Sequence, residues 1–572
     1  MHPSRRAVLA FLTGITVTCA DPTGPGSSAT VEITNFRSFL EVGDSYRLVA
    51  AVSGRANASQ VAWSSSDPLV ITVDQTGLAV ARSPGFSYVT ASVRGSATSV
   101  RIAAVKRIAA LEVEPRSVDL VVGDRSMFTA AAVDALGNAV SEDGSDRDLI
   151  AAEVLWSVTD QTIARFDDSD HRTLLRGLRE GETTVRARLL AHTGTAALTV
   201  QLLEFAELAA GGAHTCGLAT DSFPYCWGAG TGFLGSPGTG WWSPAHVPHR
   251  AGYELKLVSI TAGGRHACGL TPDGEAHCWG SNEFGALGAG TTGQPTGPVA
   301  VSGGLRFTSL SAGGTHTCGI ASTGQVFCWG ARHGALLEAG PETCGTGGKV
   351  GVILPCSRAP LMVGDGSLRP TSLSTGGRHT CALDGDGHAH CWGVWGSRTE
   401  PLPVPIGGSL VLDGLASGDG YTCGLTPSGQ AQCWGANDGG QLGDGSTTPS
   451  DEPVPVAGGL TFARLSAGRS EILYPSPGHV CGVTAAGAAF CWGSNASGEL
   501  GLPSGPPHTT PVQVNATVGF RSVHAGGSHT CGMSLEGVAY CWGDNYNGQL
   551  GVSGVTGSTP VAVVGQRFGG SP

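Results

Sequence analysis

The amino-acid sequence predicts an all-β fold without a helical domain. Short apolar runs bounded by Gly, Pro, Ser and Asp dominate its 572 residues, and long stretches of helical periodicity are absent. Glycine supplies 90 of the residues, which indicates many turns. In the last two thirds of the chain, a pair of cysteines ten residues apart recurs seven times, and Trp-Gly always follows the second cysteine. These observations indicate small β domains followed by an array of β repeats.

The charge pattern excludes one class of partner. The formal net charge is −12, and the only lysines are Lys106, Lys256 and Lys349. No basic stripe is present that could neutralise phosphates, so we expect no nucleic-acid binding. No motif indicates a cofactor either.

The N-terminus is typical of an export signal over residues 1–19. Arg5 and Arg6 precede an apolar run from Ala7 to Val17, which is too short to span a bilayer as a helix. Cys19 follows small residues and resembles the lipidated cysteine of bacterial lipoproteins, although the usual Leu three positions earlier is missing. The stretch Ser4 to Leu9 resembles a twin-arginine signal, and a plain secretory signal is the other possibility.

The number of cysteines bears on this choice. Of 17 cysteines, 14 form the seven repeated pairs, Cys344 and Cys356 form one further candidate pair, and Cys19 is left over. An odd cysteine in an exported chain needs a reason. Acylation of Cys19 would supply that reason.

A tether at 20–28 precedes two segments of alternating strands, 29–105 and 108–203. The first segment has Val-Gly-Asp before a strand, Trp63 followed by Ser-Ser-Ser-Asp-Pro, and a Gly77-Leu78 turn. With these motifs it resembles bacterial immunoglobulin-like domains of group 2, and the second segment resembles them more loosely, with Trp156 in the place of Trp63. The resemblance implies two β-sandwiches, each packed around a tryptophan.

The segment 205–572 is built of repeats about 50 residues long with four strands each. Successive first cysteines are 52, 50, 63, 42, 58 and 50 residues apart, which is typical of a propeller or array. The stretches "AGGRHACGL", "CWGSNEFGALG" and "CWGDNYNGQLG" resemble repeats of the regulator of chromosome condensation family. That resemblance implies a seven-bladed β-propeller.

The fixed cysteine spacing fits a hairpin. Around Cys268 and Cys278 the midpoint is Asp273, and Gly274 then occupies the left-handed position of the turn. Glycine holds that position in six of the seven units, and Ser222 replaces it in the first. Opposed cysteines in such a hairpin are within disulfide reach, whereas a zinc site would need four converging ligands. We predict disulfides that join Cys216–Cys226, Cys268–Cys278, Cys318–Cys328, Cys381–Cys391, Cys423–Cys433, Cys481–Cys491, Cys531–Cys541 and Cys344–Cys356, in an oxidising compartment.

Two recurring side chains invite a functional interpretation. One slot holds histidine in six units and Tyr421 in the fifth: His214, His266, His316, His379, His479 and His529. Equivalent positions around a ring are too far apart to share a metal, so we expect these histidines to join adjacent blades by hydrogen bonds. The tryptophans after the second cysteines are expected to pack between blades. The metal-like stretch from Asp384 to His390 is expected to be a hairpin turn, and no metal site is predicted.

Irregular insertions indicate the binding face. Insertions at 236–250 and 338–358 are third loops, and the one at 470–478 is a first loop, so all three should lie at one end of the ring. Trp241, Trp242 and Tyr474 are the candidate binding residues there. The alternative is that these aromatic side chains only cover their own loops.

The function expected from these observations is recognition rather than catalysis. The leading hypothesis is an exported, lipid-anchored, monomeric bacterial surface protein whose propeller binds a protein or glycan, with the Ig-like domains as a stalk. A secreted propeller-type inhibitor is the alternative. A secreted lyase or glycosidase is disfavoured because no paired carboxylates or Ser-His-Asp pattern can be assigned. The nucleotide exchange for which the resembling family is known should not be carried over.

Overall fold

The computed structural model describes two compact units, formed by Met1–Leu120 with Arg125–Val200 and by Val121–Asp124 with Gln201–Pro572. The described residues are 15–18, 29–54, 56–123, 125–140, 153–166, 174–229, 245–252, 255–331, 343–345, 353–469, 477–554 and 557–567. Cys19, Trp241, Trp242 and Tyr474 lie outside these residues. Nearly all regular structure is β-strand, as the sequence predicts, and the described residues contain no α-helix. Accordingly, no described segment is a helix suited to crossing a bilayer.

The first Ig-like domain packs its sheets around Trp63. Its central sheet has the order β10-β9-β6 with β3 beside β10, and two small sheets complete the domain, β2-β5 and β4-β8-β7. β1, which lies within the predicted export signal of residues 1–19, also pairs with residues 96–99 of β10. The elements are β1 (Ile15–Thr18), β2 (Thr30–Asn35), β3 (Phe39–Glu41), β4 (Ser45–Arg47), β5 (Val49–Ser53), a 3-10 turn (Ala58–Gln60), β6 (Ala62–Ser65), β7 (Ile71–Val73), β8 (Leu78–Ala81), β9 (Gly85–Val93) and β10 (Ser96–Val105).

A single glycine shows why the sequence needs its turn at Gly77-Leu78. Gly77 has a φ of +81°, and a Cβ there would lie 2.7 Å from the carbonyl oxygen of Leu48 and 3.1 Å from the Trp63 ring. Only glycine combines that backbone with that approach. Trp63 itself is 7% exposed and belongs to the core of the domain.

The second domain repeats the strand pairing of the first. Its sheets are β12-β19-β18-β15, β11-β14 and β13-β17-β16. Trp156 lies opposite Ala187 just as Trp63 lies opposite Ala91, and it packs against Phe128 and Phe166. The strands are β11 (Ala110–Glu114), β12 (Ser117–Val121), β13 (Arg125–Met127), β14 (Thr129–Val133), β15 (Leu155–Val158), β16 (Ala164–Phe166), β17 (Leu174–Gly177), β18 (Gly181–Leu189) and β19 (His192–Gln201).

The second unit is a seven-bladed propeller, as predicted. Each blade is an antiparallel sheet whose strands A, B, C and D follow one another in the chain, and the third blade adds one strand at its edge. Blades 1 to 3 are β20 (Phe205–Ala210), β21 (His214–Ala219), β22 (Pro224–Gly228) and β23 (Ala245–Arg250); β24 (Ser259–Ala262), β25 (His266–Leu270), β26 (Ala276–Gly280) and β27 (Val299–Ala300); β28 (Phe307–Ala312), β29 (His316–Ala321), β30 (Val326–Ala331), β31 (Thr343–Gly345) and β32 (Ile353–Met362).

Blades 4 to 7 follow the same plan. They are β33 (Ser372–Thr375), β34 (His379–Leu383), β35 (Ala389–Trp395) and β36 (Arg398–Ile406); β37 (Gly414–Ser417), β38 (Tyr421–Leu425), β39 (Ala431–Gly435) and β40 (Ser450–Pro455); β41 (Arg464–Ala467), β42 (His479–Val483), β43 (Ala489–Gly493) and β44 (His508–Gln513); β45 (Phe520–Ala525), β46 (His529–Ser534), β47 (Ala539–Gly543) and β48 (Gly557–Ala562). The A strands of neighbouring blades touch around the axis, as the hydrogen bond of 2.7 Å between Ser311 and Thr375 illustrates.

The predicted cysteine register is confirmed. In every blade the two cysteines lie directly opposite one another on strands B and C, for example Cys268 opposite Cys278. Their Cα atoms are 4.0–4.1 Å apart and all seven pairs are disulfide-bonded. Cys344 and Cys356 form the eighth disulfide. The turn glycines have positive φ, as expected, and the exception, Ser222, adopts a φ of +72° all the same.

The ring closes through the chain end. Leu203 exchanges backbone hydrogen bonds with Gly565 (2.7 Å) and Arg567 (2.8 Å). Between them, the buried amide of Gln566 bonds both to the N–H of Ala539 (2.7 Å) and to its carbonyl (2.6 Å). Because both polar groups of this buried amide have hydrogen-bond partners, they hold the segment around Gln566 against blade 7.

Candidate functional site

The described strands that flank the three insertions meet them at one end of the ring, and the insertions themselves lie largely outside the described residues. Residues 230–244 and 332–352 belong to C–D connections of blades 1 and 3, and residues 470–476 belong to the A–B connection of blade 6. In an antiparallel meander, A–B and C–D connections share one end, and B–C and D–A connections share the other. We name these the insertion end and the turn end. The loop parity expected from the sequence therefore agrees with the topology.

One aromatic residue at the insertion end escaped the sequence analysis. Tyr546 lies in the C–D connection of blade 7 and is 85% exposed. The same connection approaches blade 1, since a Cβ at Gly548 would lie 2.6 Å from the carbonyl oxygen of Ala245. The sequence alone distinguishes Tyr546, because the C–D connections of blades 2, 5 and 6 carry Glu283, Asp438 and Ala496 at the equivalent position.

Glycines form a close-packed ring around the axis at the insertion end. The second glycine of an A–B connection donates its N–H to the first glycine of the next blade, as Gly264 does to Gly313 (3.0 Å). A Cβ on Gly264 would lie 2.4 Å from the carbonyl oxygen of Gly314. The Gly-Gly pattern of the sequence therefore reflects direct backbone contact between blades. The equivalent bonds join Gly212 to Gly263, Gly314 to Gly376, Gly377 to Gly418 and Gly527 to Gly211.

Blades 5 and 6 replace the second ring glycine with charged residues, Asp419 and Arg469. The Arg469 guanidinium crosses the axis and donates to the carbonyl oxygen of Ala312 in blade 3. Burial lowers the pKa of Arg469 to about 10, although the negative charge of Asp419 opposes that shift. The ring thus carries a charged group on its axis at the insertion end.

Three further ionisable residues lie on the A strands of blades 6, 7 and 1, and burial lowers the pKa of one of them, His524, to about 4. Arg464 and Glu207 occupy a slot that holds serine in several sister strands, and His524 lies near them. Burial raises the pKa of Glu207, while the N–H of Ile260 (3.3 Å) and the charge of Arg464 lower it. An alignment of the repeats on their Gly-Gly pairs shows these three departures from the repeat. The group contains one carboxylate, that of Glu207, and so lacks the two carboxyl groups of a general acid and base pair.

The recurring histidines join the blades, as the sequence predicts. The Nε2 atom of His266 lies 2.8 Å from the hydroxyl of Thr317 in the next blade. The same bond links His316 to Thr380, His379 to Thr422, His479 to Thr530 and His529 to Thr215. These rings are fully buried and hold the inter-blade seams rather than a ligand.

The threonine is lost in blades 2 and 6. Blade 2 has Ala267 in its place, and the Nε2 atom of His214 in the preceding blade has no hydrogen-bond partner among the described residues. Blade 6 has Val480 in the threonine position, and the preceding blade carries Tyr421 instead of histidine. The Tyr421 hydroxyl donates across the seam to the carbonyl oxygens of His479 (2.8 Å) and Gly468 (3.2 Å). Tyr421 in the histidine position of blade 5 therefore compensates for Val480 in the threonine position of blade 6.

The Trp-Gly tryptophans pack between blades, as predicted. All seven have a relative exposure of 0%. The indole N–H of Trp329 donates to the carbonyl oxygen of Ala286 in the preceding C–D connection (2.8 Å), and Trp227, Trp492 and Trp542 do the same with Gln549, Gln441 and Glu499. Blade 4 lacks that connection, and Trp395 takes the place of its leucine in the core beside Trp434.

Acid should destabilise the propeller through the buried histidines. Burial lowers the pKa of His266, His379 and His529 to about 3 and that of His214 and His479 to about 4. The unfolded chain binds protons near pH ~6.5, so stability is complete above that pH and is lost as the pH falls towards the folded-state values. We expect a cost of about 2 kcal/mol per histidine near pH ~4.5.

Thermal unfolding followed by tryptophan fluorescence between neutral pH and pH ~4 measures this effect. A midpoint that does not move across that range would contradict the inferred burial of neutral rings. The Ig-like domains lack this ring of histidines and serve as the internal control.

The stretch from Asp384 to His390 is a hairpin turn, as predicted. Asp384 N–H bonds to the carbonyl of His388 (3.0 Å), and His390 Nε2 lies 2.9 Å from the Asp384 carboxylate. Within the part of the chain that the structure describes, no three His, Cys, Asp or Glu side chains group as metal ligands would.

Family comparisons agree with this geometry. Models of the regulator of chromosome condensation repeat match residues 257–286 and 520–549, and 273–320 and 486–533. The chain contains regulator of chromosome condensation repeats. A model of the bacterial Ig-like domain (group 2) matches residues 28–102, which confirms the first sandwich.

One of the solved structures that resemble this chain, Prp20p, shows the same fold. Prp20p from Saccharomyces cerevisiae is 20% identical with a TM-score of 0.50, over 64% of this chain and 86% of that chain. Human WBSCR16 is 19% identical with a TM-score of 0.49, over 59% of this chain and 93% of that chain. The likeness to Prp20p at 20% identity shows the propeller fold and nothing further.

One curated relative matches part of the chain. Ice-binding protein 1 of Shewanella frigidimarina is 31% identical over 143 residues, 25% of this chain. The chain spans 15% of the length of that relative.

Proposed function

We propose that this chain is an exported bacterial surface protein whose propeller binds another macromolecule through its insertion end. The Ig-like domains act as a stalk, and a lipid on Cys19 anchors the chain. The observation that supports the proposal is that Tyr546 is exposed at the end of the ring where the strands flanking the three predicted insertions begin or end. Regular repeats supply a rigid scaffold, and irregular loops on it supply recognition.

Export is supported by the cysteine chemistry. Eight disulfides require an oxidising compartment, and cytosolic proteins rarely keep them. The matched bacterial Ig-like domain and the partial match to an ice-binding protein also favour a bacterial protein that acts by binding. Binding also agrees with the behaviour of Prp20p, a propeller protein with binding properties towards Gsp1p and histones.

A secreted inhibitor is the second candidate, since the same end of the ring would then cap a target protein. The two hypotheses predict the same face and differ in anchoring. Catalysis finds less support, because each carboxylate described near the axis interacts with an arginine, Glu207 with Arg464 and Asp419 with Arg469.

Truncating the aromatic residues should weaken binding. We expect Trp241→Ala with Trp242→Ala, and separately Tyr546→Ala, to reduce affinity for the partner by about 2–4 kcal/mol, because buried aromatics dominate interface energy. The partner is first captured from a cell-surface extract on the immobilised protein, and affinity is then measured by titration. Leu535→Ala is the matched control, since Leu535 is 58% exposed but lies in a B–C connection at the turn end. An equal loss for the control would remove the face assignment.

Replacing Cys19 tests the anchor. We expect Cys19→Ala to shift the protein from the membrane fraction to the soluble fraction of the bacterial host, because a covalent lipid provides the attachment. Fractionation with immunoblotting measures the shift. If both forms are soluble, the export signal is simply cleaved and the inhibitor hypothesis gains.

A further inference from the structure

We infer that the propeller axis holds a second binding site, nearer the turn end, for a small zwitterion of the amino-acid class. Arg464 receives the carboxylate of this ligand, and Glu207 receives its ammonium group. The site lies apart from the insertion end and does not depend on the macromolecular partner proposed for that end.

One residue of each A strand, four positions before the first ring glycine, contributes to a layer around the axis. We name it the axial layer, and it lies nearer the turn end because the A strands begin there. Its members are serine in four blades and depart from serine in three: Glu207, Ser259, Ser309, Ser372, Gly414, Arg464 and Ser522. A ring of repeats thus carries two opposite charges at one level, and such local departures from a regular pattern are expected at functional sites.

Hydrogen bonds between blades show the direction of these side chains. Glu207 accepts the N–H of Ile260 in the next blade (3.3 Å), and Ser466 accepts the N–H of Ala525 in the next blade (2.9 Å). The same direction is followed by Thr261, Ser311 and Ser374. Side chains two residues apart on a strand share a face, so Arg464 is directed, like Ser466, towards the A strand of blade 7. That strand separates blade 6 from blade 1, which carries Glu207.

The two charges act on each other without direct contact. The charge of Arg464 opposes the effect of burial on the pKa of Glu207, and it adds to the effect of burial on the pKa of His524 in blade 7. Within the described residues, however, Arg464 has no hydrogen bond or ion pair, and Glu207 has only its bond to Ile260. Removing a carboxylate from water is costly unless a cation joins it. A molecule between the two side chains that bears both charges would satisfy both.

The axial layer also has open space and unsatisfied polar atoms. A Cβ on Gly414, which neighbours Arg464 in the ring, would meet no atom within 4 Å. On the other side of the ring, the buried hydroxyls of Ser309 and Ser372 have no hydrogen-bond partner among the described residues. Buried hydroxyls are normally hydrogen-bonded, so these two are available to a polar group of the ligand.

These features discriminate between classes of small ligand. A dicarboxylate would place a negative group near Glu207, and a diamine would place a positive group near Arg464. An amino acid offers a carboxylate that suits the two parallel bonds of a guanidinium, an ammonium group for Glu207 and, where its side chain is polar, a partner for the serine hydroxyls. The ring glycines and Arg469 obstruct the axis at the insertion end, so the ligand enters from the turn end.

The experiment is isothermal titration calorimetry of the full chain with L-glutamine and with L-serine. Arg464→Gln removes the guanidinium, which makes no described hydrogen bond. Glu207→Gln removes the carboxylate but keeps an oxygen that can accept the N–H of Ile260, so both variants should fold. Glu275→Gln is the matched control, because it removes a carboxylate at the turn end that pairs with Arg306 at 3.2 Å. Acetate, methylamine and glucose are the comparison ligands.

We expect at least one of the two amino acids to bind the wild type and the Glu275→Gln variant alike, with a Kd below ~10 mM, and to bind each axial variant at least about tenfold more weakly. Absence of binding by both amino acids, equally tight binding of acetate, methylamine or glucose, or an equal loss in the control would each overturn the inference. The axial variants should still capture the macromolecular partner of the insertion end. The proposed function and the axial site can therefore fail separately.

Discussion

Gly264→Ala should destabilise the propeller by about 3 kcal/mol, although it adds one methyl group. The new Cβ would lie 2.4 Å from the Gly314 carbonyl oxygen, which is backbone and cannot rotate away. Relief requires blades 2 and 3 to separate, and separation breaks the bond between Gly264 and Gly313. Urea unfolding followed by tryptophan fluorescence measures the loss.

Gly414→Ala is the matched control for this change. Gly414 lies on the A strand of blade 5, and a Cβ there would meet no atom within 4 Å. Neither glycine requires a positive φ, so backbone strain is absent from both substitutions. The control should be stabilised by about 0.5 kcal/mol, because alanine restricts the unfolded chain. Equal effects at the two positions would show that the axis is not closely packed.

Much of this fold can be predicted from the sequence, because its features depend on residues that are close together in the chain. The ten-residue cysteine spacing defines a hairpin register by local geometry alone, and Gly274 marks the left-handed residue of the turn. The role of the recurring histidines could also be predicted, because equivalent positions around a ring are too far apart to bind one metal ion together. Each of these inferences needed only one repeat and its internal symmetry.

Other features depend on residues in different blades and could not be inferred in that way. Arg469 acts on Ala312, 157 residues away, and nothing local marks its direction. Tyr421 compensates for Val480, and Trp395 replaces a leucine that blade 4 lacks. Such compensation becomes visible in the sequence when the seven repeats are aligned and their departures are compared in pairs.

The candidate site likewise has one feature that the sequence predicts and others that it does not. Loop parity follows from strand count, so the sequence predicted the insertion end. Which side chains are available for binding there depends on their exposure, as Tyr546 illustrates. Trp241, Trp242 and Tyr474 remain proposals on that face.

Removing the disulfide of blade 7 should cost more than its loop length implies. Closing a loop of this size in the unfolded chain is worth about 3 kcal/mol. Cys531 and Cys541 are also fully buried in the core that joins blades 7 and 1, with Trp227 and Leu550. Cys531→Ala with Cys541→Ala therefore loses packing as well, and we expect a total of about 4 kcal/mol.

Cys344→Ala with Cys356→Ala separates the two contributions. That disulfide closes a loop of similar length, with a sequence separation of 12 against 10, but lies between β31 and β32 at the edge of blade 3. Chain entropy predicts about 3 kcal/mol for it as well. Cys344 and Cys356 are also buried, at 4% and 2% exposure, but belong to none of the described cores between blades, so the difference between the two variants reports the additional packing of the sulfur atoms between blades 7 and 1. The midpoint and slope of urea unfolding, compared with the wild type, provide both values. A larger loss at the edge of blade 3 than in blade 7 would mean that the repeated cysteines act only as loop closures, and that the cores between blades hold together without their sulfur atoms.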